Sequence, residues 1–384
     1  MANEFWERIG VKPIINASAT QTCYGGSLMN RKAAEALDEA SKKFFDIREL
    51  HEAVSKRIAE LTRNEDAMVS AGVASAFYLV TMALLKLDDP SFYKKIPSEF
   101  PKGKSVILYK SHRVEYVCGI EQAGVSLREI GDVGEDTDPH AEKLEAEIRK
   151  NKPLAFLYVM AGLWIPKGAP SLSEAVRVCK RNGVPIIVDA AAQLPPKSNF
   201  WEFTQGYGAD VVLFSGGKDL CGPCHTGLIL GKKNIVSVCR SIISPQDGVG
   251  RFFKIGKEEL AAVLVAVEEY IERDEEERLK WCEGEVKKIV DGLDGLHGVS
   301  CCRAFPNEAG QPIPRAQITF DQSIYPVSPD EVVQDFLNNK TRIAFLPYPG
   351  KGFYCNPMTL VPGEIEIIIK EIRSYFCGKK RCSE

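Results

Sequence analysis

A chain of 384 residues is long enough for two or more domains with a large buried core. With 45% hydrophobic and 26% charged residues it has the composition of an ordinary soluble globular protein. The net charge is −3, and no block of lysine and arginine is dense enough for a nucleic-acid or membrane surface. The N-terminal "MANEFWERIGVKP" lacks the basic region and apolar run of a secretory signal. The twelve scattered cysteines therefore read as reduced thiols in a cytoplasmic protein too large to need disulfide staples. Cys301, Cys302, Cys377 and Cys382 need no function, because free cysteine is a good small core residue.

In chain order, "FFDIRELHEAVSKRIAELT" opens with Asp46 and Glu49 at capping-box spacing and continues at helical period. The apolar "DAMVS" leads through Gly72 into "AGVASAFYLVTMALL", Ala71 to Leu85, which is too short to span a bilayer and reads as a buried helix. After a polar, proline-marked loop, "SVILY" is a strand, "EYVCGIEQAG" a helix, "VSLREIG" a strand and "HAEKLEAEIRKN" a charged helix. "LAFLYVM" is a continuous apolar strand, "LSEAVRVCKRNG" a helix ending at Gly183, and "PIIVDA" and "ADVVLFS" are strands. Short apolar runs alternating with amphipathic helices predict an α/β domain with a mostly parallel sheet covered on both faces. Near Gly250 the texture changes. "KEELAAVLVAVEEYIERDEEERLKWCEGEVKKIVDGL" is one long charge-laced helical stretch, or two joined. Beyond it, "PRAQITF", the helix "PDEVVQDFLNN", the strand "RIAFL" and a last helix from Gly363 to about Phe376 suggest a small α+β domain. The expected organisation is an N-terminal arm at 1–40, a large domain at 41–255, and a linking helix with a small C-terminal domain at 256–384.

"LFSGGKDLCGPCHTG", Leu213 to Gly227, holds two competing centres. Cys221-Gly-Pro-Cys224 spells a thiol redox tetrapeptide, a motif that works at a helix N-terminus, where open N–H groups lower the first thiol's pKa. The "HTGLILG" that follows is a strand pattern, so both cysteines are expected in a turn between strands. Adding His225 does not complete a zinc site, which needs four ligands, and no metal site is expected. Lys218 is better supported. Asp189 and Lys218 stand at or just past the carboxyl ends of two predicted strands, the edge where parallel sheets bind ligands. A structural ion pair would explain that pair equally well, but "MVSAGVASAF" adds a strand, a turn at Gly72 and a helix N-terminus, an anion site. Phosphate cradle, buried aspartate and lysine together are what pyridoxal 5'-phosphate demands. The aspartate keeps the ring nitrogen protonated, the lysine holds the aldehyde as a Schiff base, and Ser215 is placed to bond the phosphate.

The sequence resembles pyridoxal-phosphate enzymes of fold type I, the aspartate aminotransferase-like fold. Within them it is similar to the branch holding bacterial selenocysteine synthase and D-glucosaminate-6-phosphate ammonia-lyase. The matching stretches are "INASATQT", "GGSLM", "ELHEAVSKRIAEL", "VSAGVASA", "VPIIVDAAAQLPP", "FSGGKDLCGP", "TGLILGKK", "GRFFKIGKEEL" and "NPMTLVPGE", spread over most of the chain. The resemblance implies Lys218 as the Schiff-base lysine, Asp189 as the ring-nitrogen partner, and backbone N–H groups of Gly72, Val73 and Ala74 on the phosphate. It implies His112 stacked on the ring and Gln193 near the phenolic oxygen. Thr20, Arg251, Arg315 and Arg342 become candidates for substrate binding, Arg251 also for the phosphate or from a neighbouring subunit. One departure is Ala19, which stands where the branch has a glycine; Cys23 and Cys224 are also unexpected near a cofactor.

The expected function is a pyridoxal-phosphate lyase of the ammonia-lyase type. It removes the α-proton of an amino acid or amino-sugar acid and expels a β-substituent, with Lys218 as base. A racemase or transaminase would use the same residues. Selenium transfer to seryl-tRNA would need a tRNA-binding region, and the matching segment starts at residue five with no basic surface in its place. A cysteine desulfurase would need a mobile-loop cysteine, for which Cys355 in "GKGFYCNP" is the candidate. A CGPC thiol redox protein is the remaining class. The expected partners are a small amino acid-type substrate and further copies of the chain, in a homodimer or larger homo-oligomer, with no nucleic acid and no membrane.

Overall fold

The computed structural model describes residues 2–96, 98–134, 140–160, 162 and 166–379, which leaves Cys382 outside. In chain order come α1 (Ala2–Arg8), β1 (Ile15–Ala17), α2 (Arg31–Ser41), α3 (Ile47–Thr62), β2 (Asp66–Ser70) and α4 (Val73–Asp88). Next are β3 (Ser105–Tyr109), α5 (Cys118–Gln122), β4 (Ser126–Ile130), α6 (His140–Asn151), β5 (Ala155–Val159), α7 (Leu172–Arg181), β6 (Ile186–Asp189) and β7 (Val211–Ser215). Then follow β8 (Gly227–Gly231), α8 (Lys233–Ser241), α9 (Lys257–Glu272), α10 (Glu275–Leu293), β9 (Val299–Ala304) and β10 (Arg315–Phe320). The chain closes with α11 (Pro329–Asn338), β11 (Ile343–Tyr348), β12 (Gly352–Cys355) and α12 (Glu364–Lys379). Among the described residues no helix is long and apolar enough to cross a membrane.

The chain divides into two units. The larger comprises Leu28–Arg273 together with Glu308–Gln311, and the smaller takes the remainder. In the larger unit seven strands form one sheet in the order β2-β8-β7-β6-β5-β3-β4. All neighbours are parallel except β8, which runs antiparallel to both β2 and β7. The continuous apolar runs are explained by burial on two faces, since successive residues of a strand point to opposite sides. Val212 and Phe214 pack with residues of α3, α7 and α9, while Val211 and Leu213 pack with α4 and α8. The edge strand β4 pairs with β3 on one side, and its exposed Ser126, Arg128 and Glu129 disfavour pairing on the other.

Helix starts follow their capping residues. Asp46 accepts the N–H groups of Arg48 and Glu49 to open α3, and Ser171 with Glu174 forms a reciprocal capping box on α7. The charge-laced stretch after Gly250 is two helices. Asp274 accepts from the N–H groups of Glu276 and Glu277, so it starts α10 rather than continuing α9, and the division between units falls at this residue. In the smaller unit a five-stranded sheet has the order β1-β11-β12-β10-β9, with β1 parallel to β11 and the other pairs antiparallel. Its core joins Phe336, Phe345, Phe353 and Phe376 to Val286 and Ile289 of α10.

Candidate active site

Parallel strands finish on one edge of their sheet. β6 stops at Asp189 and β7 at Ser215, in a register that pairs Asp189 with Leu213. β2 stops at Ser70, which pairs with Gly227, and Gly227 pairs in turn with Ser215. Ser70, Gly227 and Ser215 therefore form a row at the carboxyl edge, with Asp189 on the next strand. This is the edge where α/β sheets take up ligands.

At the end of β2 the chain turns through Gly72, at φ 85°, directly into α4. The hydroxyls of Ser70 and Ser75 both donate to the Gly72 carbonyl, at 3.0 and 2.9 Å, and fix the turn. The first N–H groups of α4, from Val73 and Ala74, have no acceptor one turn earlier, so they point out of the helix with the positive end of its dipole. Gly227 is required by this closeness, because a Cβ there would lie 2.9 Å from both the Gly72 carbonyl carbon and the Ser70 hydroxyl.

Asp189 is 1% exposed. Its Oδ1 accepts the Ala191 N–H at 2.9 Å, while Oδ2 is buried and accepts no hydrogen bond of normal geometry. Burial pushes its pKa up to about 6, against the opposing pull of the Ala191 N–H and of Lys218. Burial also lowers the pKa of Lys218, and the carboxylates of Asp189 and Glu308 act in the opposite sense. A buried carboxylate oxygen with no donor of good geometry, an amine eased toward its neutral form and an open helix N-terminus are the features pyridoxal phosphate needs for its ring nitrogen, aldehyde and phosphate. The site fits the cofactor.

The CGPC segment lies between β7 and β8, in a turn rather than at a helix start. Cys221 takes φ 55°, its N–H donates to the Lys218 carbonyl at 2.9 Å, and the Gly222 N–H donates to the Gly216 carbonyl at 2.8 Å. Thr226 closes the turn from the other side: its hydroxyl and its N–H both donate to the Pro223 carbonyl, and its own carbonyl accepts the Gly216 N–H. The turn lies tight on the glycine pair. A Cβ on Gly216 would be 2.1 Å from the Thr226 hydroxyl, and one on Gly217 would be 2.3 Å from Cys224 Cα. The motif thus shapes the loop that carries Lys218.

His112, just beyond β3, is 4% exposed. Its Nδ1 accepts the Val159 N–H at 3.4 Å, and the Tyr158 ring meets it edge-on with centroids 4.5 Å apart. Burial lowers its pKa to about 4, which keeps the imidazole neutral. Gln193 donates both amide hydrogens to backbone carbonyls, those of Met160 at 3.0 Å and Ala309 at 2.9 Å. Arg251 is exposed and donates to the Pro245 carbonyl at 3.0 Å. Thr20, Arg315 and Arg342 belong to the smaller unit. There Thr20 follows Ala19, which holds φ 65°; Arg315 is 4% exposed with its guanidinium over the Tyr354 ring; and Arg342 donates to the Leu337 and Lys12 carbonyls.

Two neighbours of the site escape sequence reading. Tyr116 is close enough to Asp189 that burial and the carboxylate together raise its phenol pKa, and Glu308 reaches Lys218 from a distant part of the chain. Neither carries a local signal, since folding alone brings them there. Cys355 needs correction. It is fully buried on β12, in register with Ala316, and burial raises its thiol pKa, so it is not the mobile-loop cysteine a desulfurase would need.

Known proteins bear on this geometry. The profile of the family described as "SelA: L-seryl-tRNA selenium transferase" matches residues 15–281. The chain is 30% identical over 321 residues to a 5'-C-glycyluridine monooxygenase-decarboxylase of Streptomyces sp, a match spanning 82% of this chain and 77% of that protein. It is 25% identical over 379 residues to the D-glucosaminate-6-phosphate ammonia lyase of Salmonella typhimurium, spanning 97% of this chain and 98% of the relative. A solved D-glucosaminate-6-phosphate ammonia-lyase superposes with a TM-score of 0.82 at 24% identity, over 99% of this chain and 100% of the other, so the fold is shared. An alanine–glyoxylate aminotransferase from Nostoc sp., at 13% identity, has a TM-score of 0.60 over 95% of each chain. The fold is that of type I pyridoxal-phosphate enzymes.

Proposed function

Because the chain belongs to the L-seryl-tRNA selenium transferase (SelA) family and is a pyridoxal-phosphate enzyme, we propose that it is a lyase of the ammonia-lyase type. Its substrate is an amino acid or amino-sugar acid with a hydroxyl on the β-carbon. The observation that carries the reading is the pairing of a buried, partly unsatisfied Asp189 with an amine, Lys218, whose proton affinity burial has lowered. The match to an ammonia lyase along nearly the whole chain supports the elimination.

When bound, pyridoxal phosphate supplies an aldehyde for the amine and a ring that draws electron density from the substrate's α-carbon. The N–H groups of Gly72, Val73 and Ala74, with the Ser215 hydroxyl, would hold the phosphate at the N-terminus of α4. Asp189 Oδ2 would accept a hydrogen bond from the protonated ring nitrogen and keep the proton there, and the neutral His112 imidazole would face the ring. Lys218 Nζ is the base that takes the α-proton, which its lowered pKa suits. Loss of the β-hydroxyl then gives an enamine, which water converts to a 2-keto acid and ammonia.

The test is to offer the purified enzyme D- and L-amino acids and amino-sugar acids with a β-hydroxyl, 6-phosphorylated forms included. The expected products are 2-keto acid and ammonia in equal amounts. Borohydride should fix the cofactor on the peptide containing Lys218, and Lys218→Ala should lose that adduct and slow turnover by several orders of magnitude. α-Proton exchange without keto acid on every substrate would move the assignment to a racemase. The 30% identity to the Streptomyces enzyme favours one other reading, oxygen-dependent decarboxylation, for which oxygen uptake with carbon dioxide release would be the sign.

We further assign a homodimer or larger homo-oligomer. Phe44 is fully exposed just before α3 and Phe252 is 85% exposed; Arg48, at the start of α3, donates to Gln246 at 3.4 Å, and a second copy is the partner that would cover both rings. The twelve cysteines suit a reducing compartment such as the cytoplasm.

A further inference from the structure

Four residues, Glu308–Gln311, pack with the larger unit although the chain on either side of them belongs to the smaller one. They are held firmly. The Ala309 carbonyl accepts from Gln193 at 2.9 Å, and the Gln311 amide donates to the Leu194 carbonyl. Gly162 packs so closely on this strap that a Cβ there would lie 2.3 Å from Gly310 N and the Ala309 carbonyl carbon. Both Gln193 and Leu194 lie on the segment that leaves Asp189, so the strap is anchored to the floor of the site. It carries one ionisable group, Glu308, which is 9% exposed.

A carboxyl buried this far carries a desolvation penalty, and here it is held within electrostatic reach of Lys218. The other carboxyl acting on Lys218 is Asp189, whose Oδ1 is taken by Ala191 and whose Oδ2 would be committed to the ring nitrogen under the reading above. A β-hydroxyl leaves poorly as hydroxide, so the elimination needs a proton at the departing oxygen. Lys218 is the base at the α-carbon and starts that step unprotonated. We propose that Glu308 is the general acid that protonates the departing β-hydroxyl, a role that rests on the lyase reading above.

The step balances without any further reactant. The Cα–H proton passes to the Lys218 amine, and the electron pair left behind becomes the Cα–Cβ double bond. The Cβ–O bond breaks with its pair on oxygen, and the oxygen takes the Glu308 proton and departs as water. The ammonium of Lys218 then returns a proton to the Glu308 carboxylate, which resets both groups. Two carboxyls with separate duties around one lysine divide the work as acid–base sites commonly do.

The experiment compares leaving groups in the holoenzyme. Chloride needs no proton to depart, so Glu308→Gln should lose about 100-fold in kcat on a β-hydroxy amino acid and stay within a few-fold of wild type on its β-chloro analogue. Glu308→Asp should recover part of the loss on the hydroxy substrate. α-Proton exchange in D2O should continue in Glu308→Gln, because Lys218 is intact. A second readout uses no cofactor. In the apoprotein, Glu308→Gln should shift the pH profile of Lys218 labelling by an amine reagent to lower pH, since a stabilising negative charge is gone. Equal losses on both substrates in a variant that keeps its wild-type melting temperature and cofactor affinity would overturn the acid role. An unchanged labelling profile would overturn the placement of Glu308 beside the lysine. If wild type releases no keto acid from any hydroxy substrate, the lyase reading fails instead, and the labelling profile still reports on Glu308.

Discussion

Asp189 carries a charge that its burial disfavours. Its pKa in the fold, about 6, lies above the ordinary aspartate value of 3.8. A carboxyl raised in this way adds no penalty below the unfolded value, and the penalty grows as pH rises through the folded one. The window therefore runs from about pH 4 to 6, and above it the cost is of the order of 3 kcal/mol. Asp189→Asn should make the apoprotein melt several degrees higher than wild type at pH 8, with the difference vanishing near pH 4. The same substitution should remove most activity from the holoenzyme, because an amide cannot hold the ring-nitrogen proton. Scanning calorimetry of the apoprotein across that range checks the first claim; a constant gap at all pH values would mean that Asp189 is not a buried, ionising group. Asp189 and Lys218 were legible in the sequence because each sits within a few residues of a strand end, and strand ends are readable from apolar runs. Glu308 and Tyr116 were not, since their positions come from how distant segments pack.

Between β7 and β8 the turn holding Lys218 depends on its glycines more than on its thiols. Cys221→Ser with Cys224→Ser should leave cofactor affinity and turnover near wild type, since the Cys221 thiol donates to the Asp219 carbonyl and neither sulfur has a role in the proposed proton transfers. Gly227→Ala should behave differently. The new methyl would meet Gly72 and Ser70 at 2.9 Å, which pushes the start of α4 away from the row of phosphate-holding groups. About tenfold weaker pyridoxal-phosphate binding and a loss of about 2 kcal/mol in stability are expected. Equilibrium dialysis and denaturant melts would read both, and wild-type affinity in the alanine variant would remove the cradle from this edge. The buried strands β2, β3 and β5 to β8 announced themselves by unbroken apolar runs, and α4 by its length. β1, β9 and β12 did not. They are three, six and four residues long, and β9 alternates with exposed positions, so tertiary pairing rather than composition decides them. The same limit misplaced Cys355, whose glycine-bearing surroundings read as a loop.

For the molecule as a whole, the exposed Phe44 and Phe252 bear on assembly. An isolated chain would leave both rings in water. Sedimentation should show at least a dimer, and Phe252→Glu, which puts charge into the proposed contact, should shift the protein toward monomer with a fall in activity. A wild-type protein that sediments as a fully active monomer would end the oligomer assignment.

The strap at Glu308–Gln311 has a consequence for how such an enzyme can be taken apart. Because the larger unit is written in two separate pieces of sequence, no single cut of the gene yields it whole. A fragment spanning 28–273 would contain the sheet, the lysine and the aspartate, yet Gln193 and Leu194 would each lack a partner that only residues after 307 provide. Shuffling this domain onto another partner as a cassette would leave those four residues behind. Recombination that preserves function must therefore exchange both pieces together, so selection acts on the strap and the sheet as one heritable block.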